Sequence, residues 1–568
     1  MTTNDWLCIT LFPLILTLLA FPLGEYMARV FSGERSFLAP IVAPVERLLY
    51  RLFRVDVGEE MSWKTYALSL VVFNVIGIAA LFFLQLIQGI LPFNPQKFGA
   101  VRWDTALNTA ISFGTNTNWQ AYSGEQTMSY LTQMLGLTFQ NFSSAAIGIV
   151  AVIALIRGFI RKSAAAIGNF WVDLTRCVLY VLLPLVIIWS ILLVSQGAVQ
   201  TLSPSVQAQT LEGSKQVIAV GPVASQVAIK QIGTNGGGFF NANSAHPFES
   251  PTPLTDFLEV LGLLLIAAAL PFTLGAMLKK RRQGLAIFAA MMILYLAGLS
   301  LFAWAETRGN PLLEKAGVAS GINMEGKEVR FGVVNSVLFA QSTTVTSCGA
   351  VNSMHDSMMP LGGLVLMFNM AIGEVIFGGV GTGLIGMLGY AIITMFLAGL
   401  MIGRTPELIG KKLELFEMVM AVVIILSPAI LLLILSSLAI STALGLASLG
   451  NAGPHGLSEI IYAYASTTGN NGSAFAGLNA NTIFYNLTTS LAMLVGRFST
   501  IIPALAIAGA LAGKKIVPTS VATFPTTSIL FIVMLVSVII VVGALTYFPV
   551  FTLGPFLEHL LLAIGKTF

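Results

Sequence analysis

Apolar stretches long enough to cross a bilayer alternate with polar segments along the whole chain. A transmembrane helix needs about 20 mostly apolar residues. Such stretches cover residues 6–28, 64–90, 129–156, 171–196, 254–278, 285–304, 358–402, 416–441, 482–510 and 524–548. The seventh is too long for one ordinary helix, and the sequence GEVIFGGVGTG interrupts it at 373–383. Non-helical backbone at membrane depth survives only where protein buries it or where it lines a wet cavity. The pattern therefore predicts an all-α polytopic membrane protein with ten transmembrane helices, one of them broken.

The polar segments between these spans form two alternating sets. One set is short and rich in Lys and Arg, whereas the other is long and covers 91–128, 197–253, 305–357 and 442–481. Lys and Arg accumulate in loops that face the cytoplasm. The short loops are therefore predicted to be cytoplasmic, and the long loops and both termini are predicted to be extracytoplasmic.

Each long segment contains a short apolar stretch and then a stretch rich in Gly, Asn, Thr and Ser. These polar stretches are SFGTNTNWQAYSG (112–124), QIGTNGGGFFNANS (231–244), TTVTSCGAVNSM (343–354) and STTGNNGSAFAGLNANT (466–482). The first and second share GTN, and the second and fourth both run from glycine through Phe to Asn-Ala-Asn and then Ser or Thr. This self-similarity indicates an internal repeat. We infer four pseudo-repeats of helix, pore half-helix, filter loop and helix around one pore.

The repeat divides the chain into six segments. The first helix and a basic cytoplasmic loop occupy 1–61, and the last transmembrane helix and an external tail occupy 516–568. The amino terminus, MTTNDWLCIT, has no basic region and no clear cleavage site, so it reads as the first membrane helix rather than a signal peptide. The four pore repeats, of which the third contains the broken helix, are predicted at 62–165, 166–282, 283–412 and 413–515.

The chemistry of the four polar stretches favours a monovalent cation. None of them contains Asp, Glu, Lys or Arg. A half-helix whose carboxyl end points into the membrane presents the negative end of its dipole, and carbonyls of a glycine-rich loop can replace the water shell of an ion. Hard divalent cations usually recruit carboxylates. The stretches therefore predict a selectivity filter built from backbone carbonyls.

The overall composition excludes several other classes of protein. The chain is 56% hydrophobic and 10% charged, well below the charge of about 25% that is usual in soluble proteins. Cys8, Cys177 and Cys348 lie far apart and indicate neither a metal site nor a disulfide framework. The sequence GALAGKK (509–515) lacks the spacing and the Ser or Thr of a phosphate-binding loop. Neither a cofactor nor a nucleic-acid partner is predicted.

The motifs GTNTNWQAYSGE, GTNGGGFFNANSAHPFE, TSCGAVNSMHDS and NNGSAFAGLNANT resemble the channel-like, potassium-binding subunit of the bacterial Kdp potassium-transporting ATPase. This family belongs to the potassium-transporter superfamily, and the resemblance extends over nearly the whole chain. It implies that K⁺ is the transported ion and that Gln120 influences ion affinity at the outer mouth. It also implies that the filter consists of Asn116, Thr117, Asn118, Thr234, Asn235, Gly236, Ser347, Cys348, Gly349, Asn470, Asn471 and Gly472.

The resemblance also implies partners and a location. A P-type ATPase catalytic subunit would supply ATP hydrolysis, small single-span accessory subunits would complete the complex, and membrane lipids of the bacterial inner membrane would surround it. The chain has no DKTGT phosphorylation motif and no cytoplasmic loop long enough for a nucleotide-binding domain. It is therefore predicted to be a non-catalytic subunit.

By the same resemblance, ions leave the filter into a vestibule, are stopped by the broken helix of repeat three, and pass sideways to the pump subunit. A charged side chain inside a membrane is costly, so Glu374 and Arg497 are interpreted as a functional pair. The alternative is that the two pair with each other or with backbone for structural reasons only. The predicted gate and vestibule residues are Gly373, Glu374, Gly378, Gly379, Gly381, Gly383 and Arg497.

Two alternative functions remain open from the sequence. One is a gradient-driven or passive K⁺ channel-transporter of the same superfamily, since the absence of ATPase motifs fits it equally well. The other is a zinc site or an intramembrane enzyme that uses His246, His355 and His455, although ordinary hydrogen bonds of vestibule histidines explain their positions better. Lys230, four residues before Thr234, places a positive charge where it should weaken cation binding, and two explanations stay open: it snorkels or it pairs with an acid.

Overall fold

The computed structural model describes residues 3–318, 323–403, 406–517 and 524–566, and most of them are helical. The helices before residue 310 are α1 (Thr3–Phe31), α2 (Ala39–Leu52), α3 (Trp63–Ile87), α4 (Trp103–Gly114), α5 (Gly124–Thr127), α6 (Phe139–Ile160), α7 (Phe170–Arg176), α8 (Leu183–Ser195), α9 (Val223–Ile232), α10 (Pro253–Met277) and α11 (Arg281–Glu306). Those after it are α12 (Pro311–Lys315), α13 (Gly332–Val345), α14 (Pro360–Ala371), α15 (Thr382–Ile402), α16 (Leu415–Ile440), α17 (Ala443–Leu446), α18 (Gly453–Gly469), α19 (Ile483–Gly513), α20 (Ile529–Phe551) and α21 (Leu557–Ala563).

Ten helical stretches in the described part of the chain are long and apolar enough to cross a membrane, which confirms the predicted number of spans. Short π-helical segments extend or join some of them, at Thr132–Thr138, Cys177–Leu182 and Thr552–Phe556. The seventh predicted span is broken, as expected, because α14 ends at Ala371 and α15 begins at Thr382. The spans are Trp6–Phe31, Trp63–Ile90, Thr132–Ile160, Phe170–Ser195, Pro253–Met277, Arg281–Lys315, Thr382–Met401, Leu415–Ile440, Ile483–Gly513 and Ile529–Ala563.

The second spanning helix of each repeat lies in the interior of the bundle. These helices are α6, α10, α15 and α19, and most of their residues are buried. The first helices of repeats one, two and four, which are α3, α8 and α16, are largely exposed and carry apolar side chains outward. Since lipid tails are as apolar as these side chains, the outer helices can face a bilayer while the inner ones surround the centre.

Several helices begin at a polar residue that binds the free amides of the first turn. Ser62 accepts from the Thr65 amide before α3, and Thr482 accepts from the Tyr485 amide before α19. Thr252 and Thr255 form a reciprocal capping box at α10, where Pro253 occupies the first position. Such caps set where a helix starts.

Several described elements were not predicted from the sequence. Helix α2 lies in the loop that was expected only to be basic, and the last span continues through α21 where an external tail was expected. The antiparallel strands β1 (Val206–Gln209) and β2 (Lys215–Ile218) form a hairpin in the long segment of repeat two. A second, two-residue pair joins β3 (Glu407–Leu408) to β4 (Lys411–Lys412).

Candidate cation-binding site

A short helix leads into each of the four predicted filter triplets. Helices α4, α9, α13 and α18 end one or two residues before their triplet. The first residue of every triplet has a positive φ: 65° at Asn116, 48° at Thr234, 58° at Ser347 and 61° at Asn470. The third residue also has one in repeats one, two and four. Left-handed backbone is uncommon for residues other than glycine, so its recurrence places the four triplets in equivalent structural positions.

Hydrogen bonds join three of the four pairs of neighbouring triplets. Asn116 Nδ2 donates to the Thr234 carbonyl at 3.0 Å, and Asn235 Nδ2 donates to Asn116 Oδ1 at 2.6 Å. Ser347 Oγ donates to the Asn470 carbonyl at 2.9 Å, and Asn470 Nδ2 donates to Thr117 Oγ1 at 2.9 Å. Repeats one with two, three with four, and four with one are therefore in direct contact.

Glycine allows the third positions to approach one another closely. A Cβ on Gly236 would collide with the backbone of Gly349, and one on Gly349 would lie 2.8 Å from the backbone carbon of Gly472. A Cβ on Gly472 would collide with the Thr117 carbonyl oxygen. The contact between Gly236 and Gly349 completes the ring between repeats two and three. Every non-glycine residue of the four triplets is buried.

Gln120, two residues after the first triplet, connects repeat one to repeat two. Its Oε1 accepts from the Gly238 amide at 3.0 Å, and its Nε2 donates to the Gly238 carbonyl at 3.1 Å and to the Tyr122 hydroxyl at 3.1 Å. Gln120 is partly exposed. The side chain therefore clamps two repeats together at a position that solvent can reach.

The break between α14 and α15 packs against the first positions of the triplets. The Val380 amide donates to Thr234 Oγ1 at 3.1 Å, and a Cβ on Gly379 would lie 2.8 Å from that of Ser347. Glu374 Oε1 accepts from Asn471 Nδ2 at 2.8 Å. The segment 373–381 therefore contacts the filter triplets of repeats two, three and four. These contacts lie on the side of the ring where the helices that precede the triplets end.

Glu374 and Arg497 do not form an ion pair. Arg497 is buried and donates from Nη2 to the Ser144 carbonyl at 2.7 Å, while its Nε has no hydrogen-bond partner among the described residues. Glu374 Oε2 is also buried without such a partner. Of the structural alternatives considered from the sequence, mutual neutralisation is therefore wrong, whereas pairing with backbone applies to Arg497.

The three histidines considered as enzyme or metal residues make separate contacts. His246 stacks on Phe240 at 3.6 Å, and His355 Nδ1 lies 2.7 Å from the Tyr462 hydroxyl. Burial, together with repulsion from Lys327, lowers the pKa of His355 to about 3. Of the three histidines, only His455 joins a group of potential metal ligands, with Asp356 and Glu459.

The charge of His455 should make stability fall at high pH. Burial lowers the pKa of this imidazole, but hydrogen bonds to Asp356 at 3.1 Å and Glu558 at 2.8 Å outweigh it and raise the pKa to about 10. A raised pKa contributes stability that is full below the unfolded value of about 6.5 and is lost as pH rises through the folded value. Thermal unfolding of the protein between pH 6.5 and 10 should show this loss, and His455→Gln should reduce it. An equal pH dependence in both proteins would contradict the assignment.

The family described as Potassium-transporting ATPase A subunit (KdpA) matches residues 10–560. The chain belongs to this family. Potassium-transporting ATPase potassium-binding subunits from Methylorubrum extorquens and Brucella anthropi are each 56% identical over 568 residues, covering all of this chain and 99% and 100% of theirs. The subunit from Herpetosiphon aurantiacus is 55% identical and covers 99% of this chain and 100% of its own.

The potassium transporter TrkH from Vibrio parahaemolyticus has a similar fold. Its structure superposes with a TM-score of 0.53 at 15% sequence identity and covers 88% of this chain and 98% of its own. Identity this low shows the fold alone. Family membership confirms the expectation of a potassium-transport membrane protein that is a non-catalytic subunit of an ATPase.

Lys230 pairs with an acidic residue, one of the two alternatives left open from the sequence, which did not identify that residue. Its ammonium group contacts Glu249 at 2.5 Å and Asn243 at 2.7 Å, and the side chains of Lys230 and Glu249 are fully buried. An available signal was Glu249 itself, the one acidic residue in the motif GTNGGGFFNANSAHPFE, 19 residues after a lysine in an apolar helix. A buried lysine generally requires such a partner.

Proposed function

We propose that the chain binds K⁺ from the extracytoplasmic side in a selectivity filter of backbone carbonyls and delivers it to a partner subunit that hydrolyses ATP. The observation that carries this proposal is the ring of four equivalent triplets, each with a left-handed first residue and none with a charged side chain. Rings of carbonyls on such loops replace the hydration shell of K⁺. The side-chain amides of Asn116, Asn235 and Asn470 support this geometry by holding neighbouring loops together.

The break in repeat three would stop the ion from passing straight through. Its backbone lies directly against Thr234 and Ser347, and Glu374 supplies a buried carboxylate oxygen with no hydrogen-bond partner in the part of the chain that the structure describes. Glu374 also lines a small cavity of about 40 Å³ together with Thr468 and Asn470. A carboxylate in this place would attract a cation leaving the filter, and the charge of Arg497 would limit how tightly it is held. The ion would then move sideways to the pump subunit.

The proposed complex contains a P-type ATPase catalytic subunit and small single-span accessory subunits in the bacterial inner membrane, with both termini of this chain extracytoplasmic. The similarity to potassium-binding subunits of potassium-transporting ATPases supports the pump partner. The distribution of Lys and Arg among the loops supports the orientation.

The competing function is a gradient-driven or passive K⁺ channel-transporter, which the shared fold with TrkH would equally allow. Purification of the tagged chain from its host in mild detergent distinguishes the two. We expect a P-type ATPase chain to co-purify and the reconstituted complex to take up K⁺ only with ATP. If the chain purified alone and carried K⁺ across proteoliposomes without ATP, the competing function would be correct.

Gln120→Arg should weaken apparent K⁺ affinity by about tenfold or more while changing the maximal transport rate less. At an effective dielectric constant near 20, two unit charges about 8 Å apart repel by about 2 kcal/mol. The substitution also removes an acceptor for the Gly238 amide. K⁺-dependent uptake by the complex measures both parameters. Gln120→Glu is the control of opposite charge, and an unchanged half-saturation concentration in Gln120→Arg would remove this residue from the ion path.

A further inference from the structure

One position on the helix before each filter triplet has the same backbone role in all four repeats. Its carbonyl accepts a hydrogen bond from the amide of the second filter residue, at distances from 2.7 to 3.1 Å. The accepting carbonyls belong to Ser112, Lys230, Thr343 and Ser466. Ser112, Thr343 and Ser466 carry a hydroxyl group. In the second repeat, Lys230 carries an ammonium group instead.

The three hydroxyl groups bind the filter loop of their own repeat directly. Ser112 donates to the Trp119 carbonyl at 3.0 Å, Thr343 donates to the Cys348 carbonyl, and Ser466 accepts from the Gly472 amide at 2.9 Å. Each hydroxyl therefore ties the loop to the helix that precedes it. The side chain of Lys230 is longer than that of Ser or Thr. Its Nζ atom therefore lies beyond the position of these hydroxyl groups and contacts residues that follow the filter triplet.

The ammonium group of Lys230 has three partners, one for each of its protons. It donates to Glu249 Oε2 at 2.5 Å, to Asn243 Oδ1 at 2.7 Å and to Ser244 Oγ at 2.9 Å. Glu249 accepts in addition from the Phe240 amide at 2.8 Å. The pair is therefore neutral overall and anchored to the chain that follows the filter.

Asn243 links the Lys230–Glu249 pair to the filter triplet of repeat two. Its Nδ2 donates to the Gly236 carbonyl at 2.7 Å. Because an ammonium group can only donate, Lys230 requires the oxygen of the Asn243 amide to face it, and the amide nitrogen must then face Gly236. If the Asn243 side-chain amide were reversed, its Nδ2 would face the Lys230 ammonium group and its Oδ1 would face the Gly236 carbonyl oxygen. Neither hydrogen bond could then form.

We propose that Lys230 is a positioning residue that sets ion discrimination by fixing the Gly236 carbonyl through Asn243. This inference rests on the proposed function, because it matters only if the triplets form the filter. A lysine replaces a hydroxyl in one quarter of the ring, and its buried carboxylate partner cancels the positive charge that would otherwise repel a cation. As a consequence, the Gly236 carbonyl is held by the charged network of Lys230, Glu249 and Asn243. In the other three repeats a single hydroxyl group contacts the filter loop.

The test measures uptake of K⁺ and of Rb⁺ by the complete complex in proteoliposomes for Asn243→Ala and for the neutral double variant Lys230→Met with Glu249→Gln. Both should raise the half-saturation concentration for K⁺ by about tenfold, the effect of losing a hydrogen bond within a charged network. Both should also shift the ratio of K⁺ to Rb⁺ affinity, while the maximal rate should change less. Lys230→Arg, which can still donate to Asn243, should recover part of the wild-type ratio.

Lys327 and Glu306 provide a matched control. They form a buried Lys–Glu pair at 3.1 Å in repeat three, and their described hydrogen bonds involve no filter residue. The double variant Lys327→Met with Glu306→Gln should lower thermal stability like its counterpart but leave the ion ratio unchanged. If the Lys230 double variant does not assemble into the complex, the K⁺ affinity and the K⁺ to Rb⁺ ratio of Asn243→Ala test the inference.

Three results would overturn the inference, and they differ in whether the proposed filter remains. If Asn243→Ala keeps the wild-type affinity and ion ratio while Gly236→Asp alters them, Lys230 is a structural residue and the filter remains. If Gly236→Asp also leaves them unchanged, the proposed filter is wrong as well. An equal shift in the Lys327 control would assign the effect to general destabilisation and would also overturn the inference.

Discussion

Gly236→Asp and Gly349→Asp are expected to reduce the preference for K⁺ over Na⁺ by tenfold or more in uptake by the complex. Any side chain on Gly236 would enter the backbone of Gly349, and Gly236 has a φ of 92° that an L-residue rarely adopts. Left-handed backbone costs a residue other than glycine about 1–2 kcal/mol, and about 1.4 kcal/mol corresponds to a tenfold change in an equilibrium. The loops should therefore move apart, and the carbonyl positions should no longer suit one ion.

The added carboxylate should act in the same direction. A charged group among the carbonyls offers smaller cations a ligand of higher charge density than a carbonyl. Gly99→Asp is the matched control, since it adds the same charge to a long segment at an exposed site where a new Cβ meets nothing within 4 Å. Wild-type discrimination in both filter variants would show that the ion is selected elsewhere in the chain.

Deletion of 378–381 is expected to turn the complex into a K⁺ leak, with ATP-independent efflux from proteoliposomes raised by about tenfold or more. A cation that crosses the bilayer interior meets a barrier of several kcal/mol, and each 1.4 kcal/mol or so corresponds to a factor of ten. The deleted backbone lies against Thr234 and Ser347, so its loss opens the inner end of the ring. A pump could not hold a gradient across such an opening.

Two point variants accompany the deletion. Gly381→Ala places a methyl group against the Gly148 carbonyl at a φ of 103°, so it should displace the segment without shortening it and produce a smaller leak. Glu374→Gln leaves the backbone in place and should slow ATP-driven uptake while the vesicles stay tight to K⁺. If the deletion variant bound K⁺ and remained tight, the segment would be a packing irregularity and the barrier would lie elsewhere.

The fold was predictable because its strongest signal is local. Ten apolar stretches and the glycine-rich break appear in the sequence within windows of about 20 residues, the length that a bilayer demands. The short elements were not predictable in this way. Helix α2 has 14 residues and strands β1 and β2 have 4 each, so none of them stands out in a search for apolar stretches of about 20 residues.

The contacts within the candidate site depend on distant parts of the chain. Glu374 meets Asn471, 97 residues away, and Arg497 meets the Ser144 carbonyl, 353 residues away. The sequence showed that both charged residues lie in apolar surroundings, but nothing in their spacing indicated which of several polar groups would be their partners. The alternative in which the two side chains pair with each other is wrong, and their spacing in the sequence could not have excluded it. The fourfold repeat, in contrast, was visible because Gly, Asn and Thr recur in each quarter of the chain.

The closed ring of four triplets comes from one polypeptide, and this has an evolutionary consequence. In a channel made of four identical chains, every substitution in the gene changes all four sides of the pore at once. Here a single codon alters one side, as Lys230 does in place of a serine or threonine. In the proposed filter, each quarter can therefore change in sequence by small steps while the other three stay the same, and an asymmetric ring can arise without a non-functional ancestor.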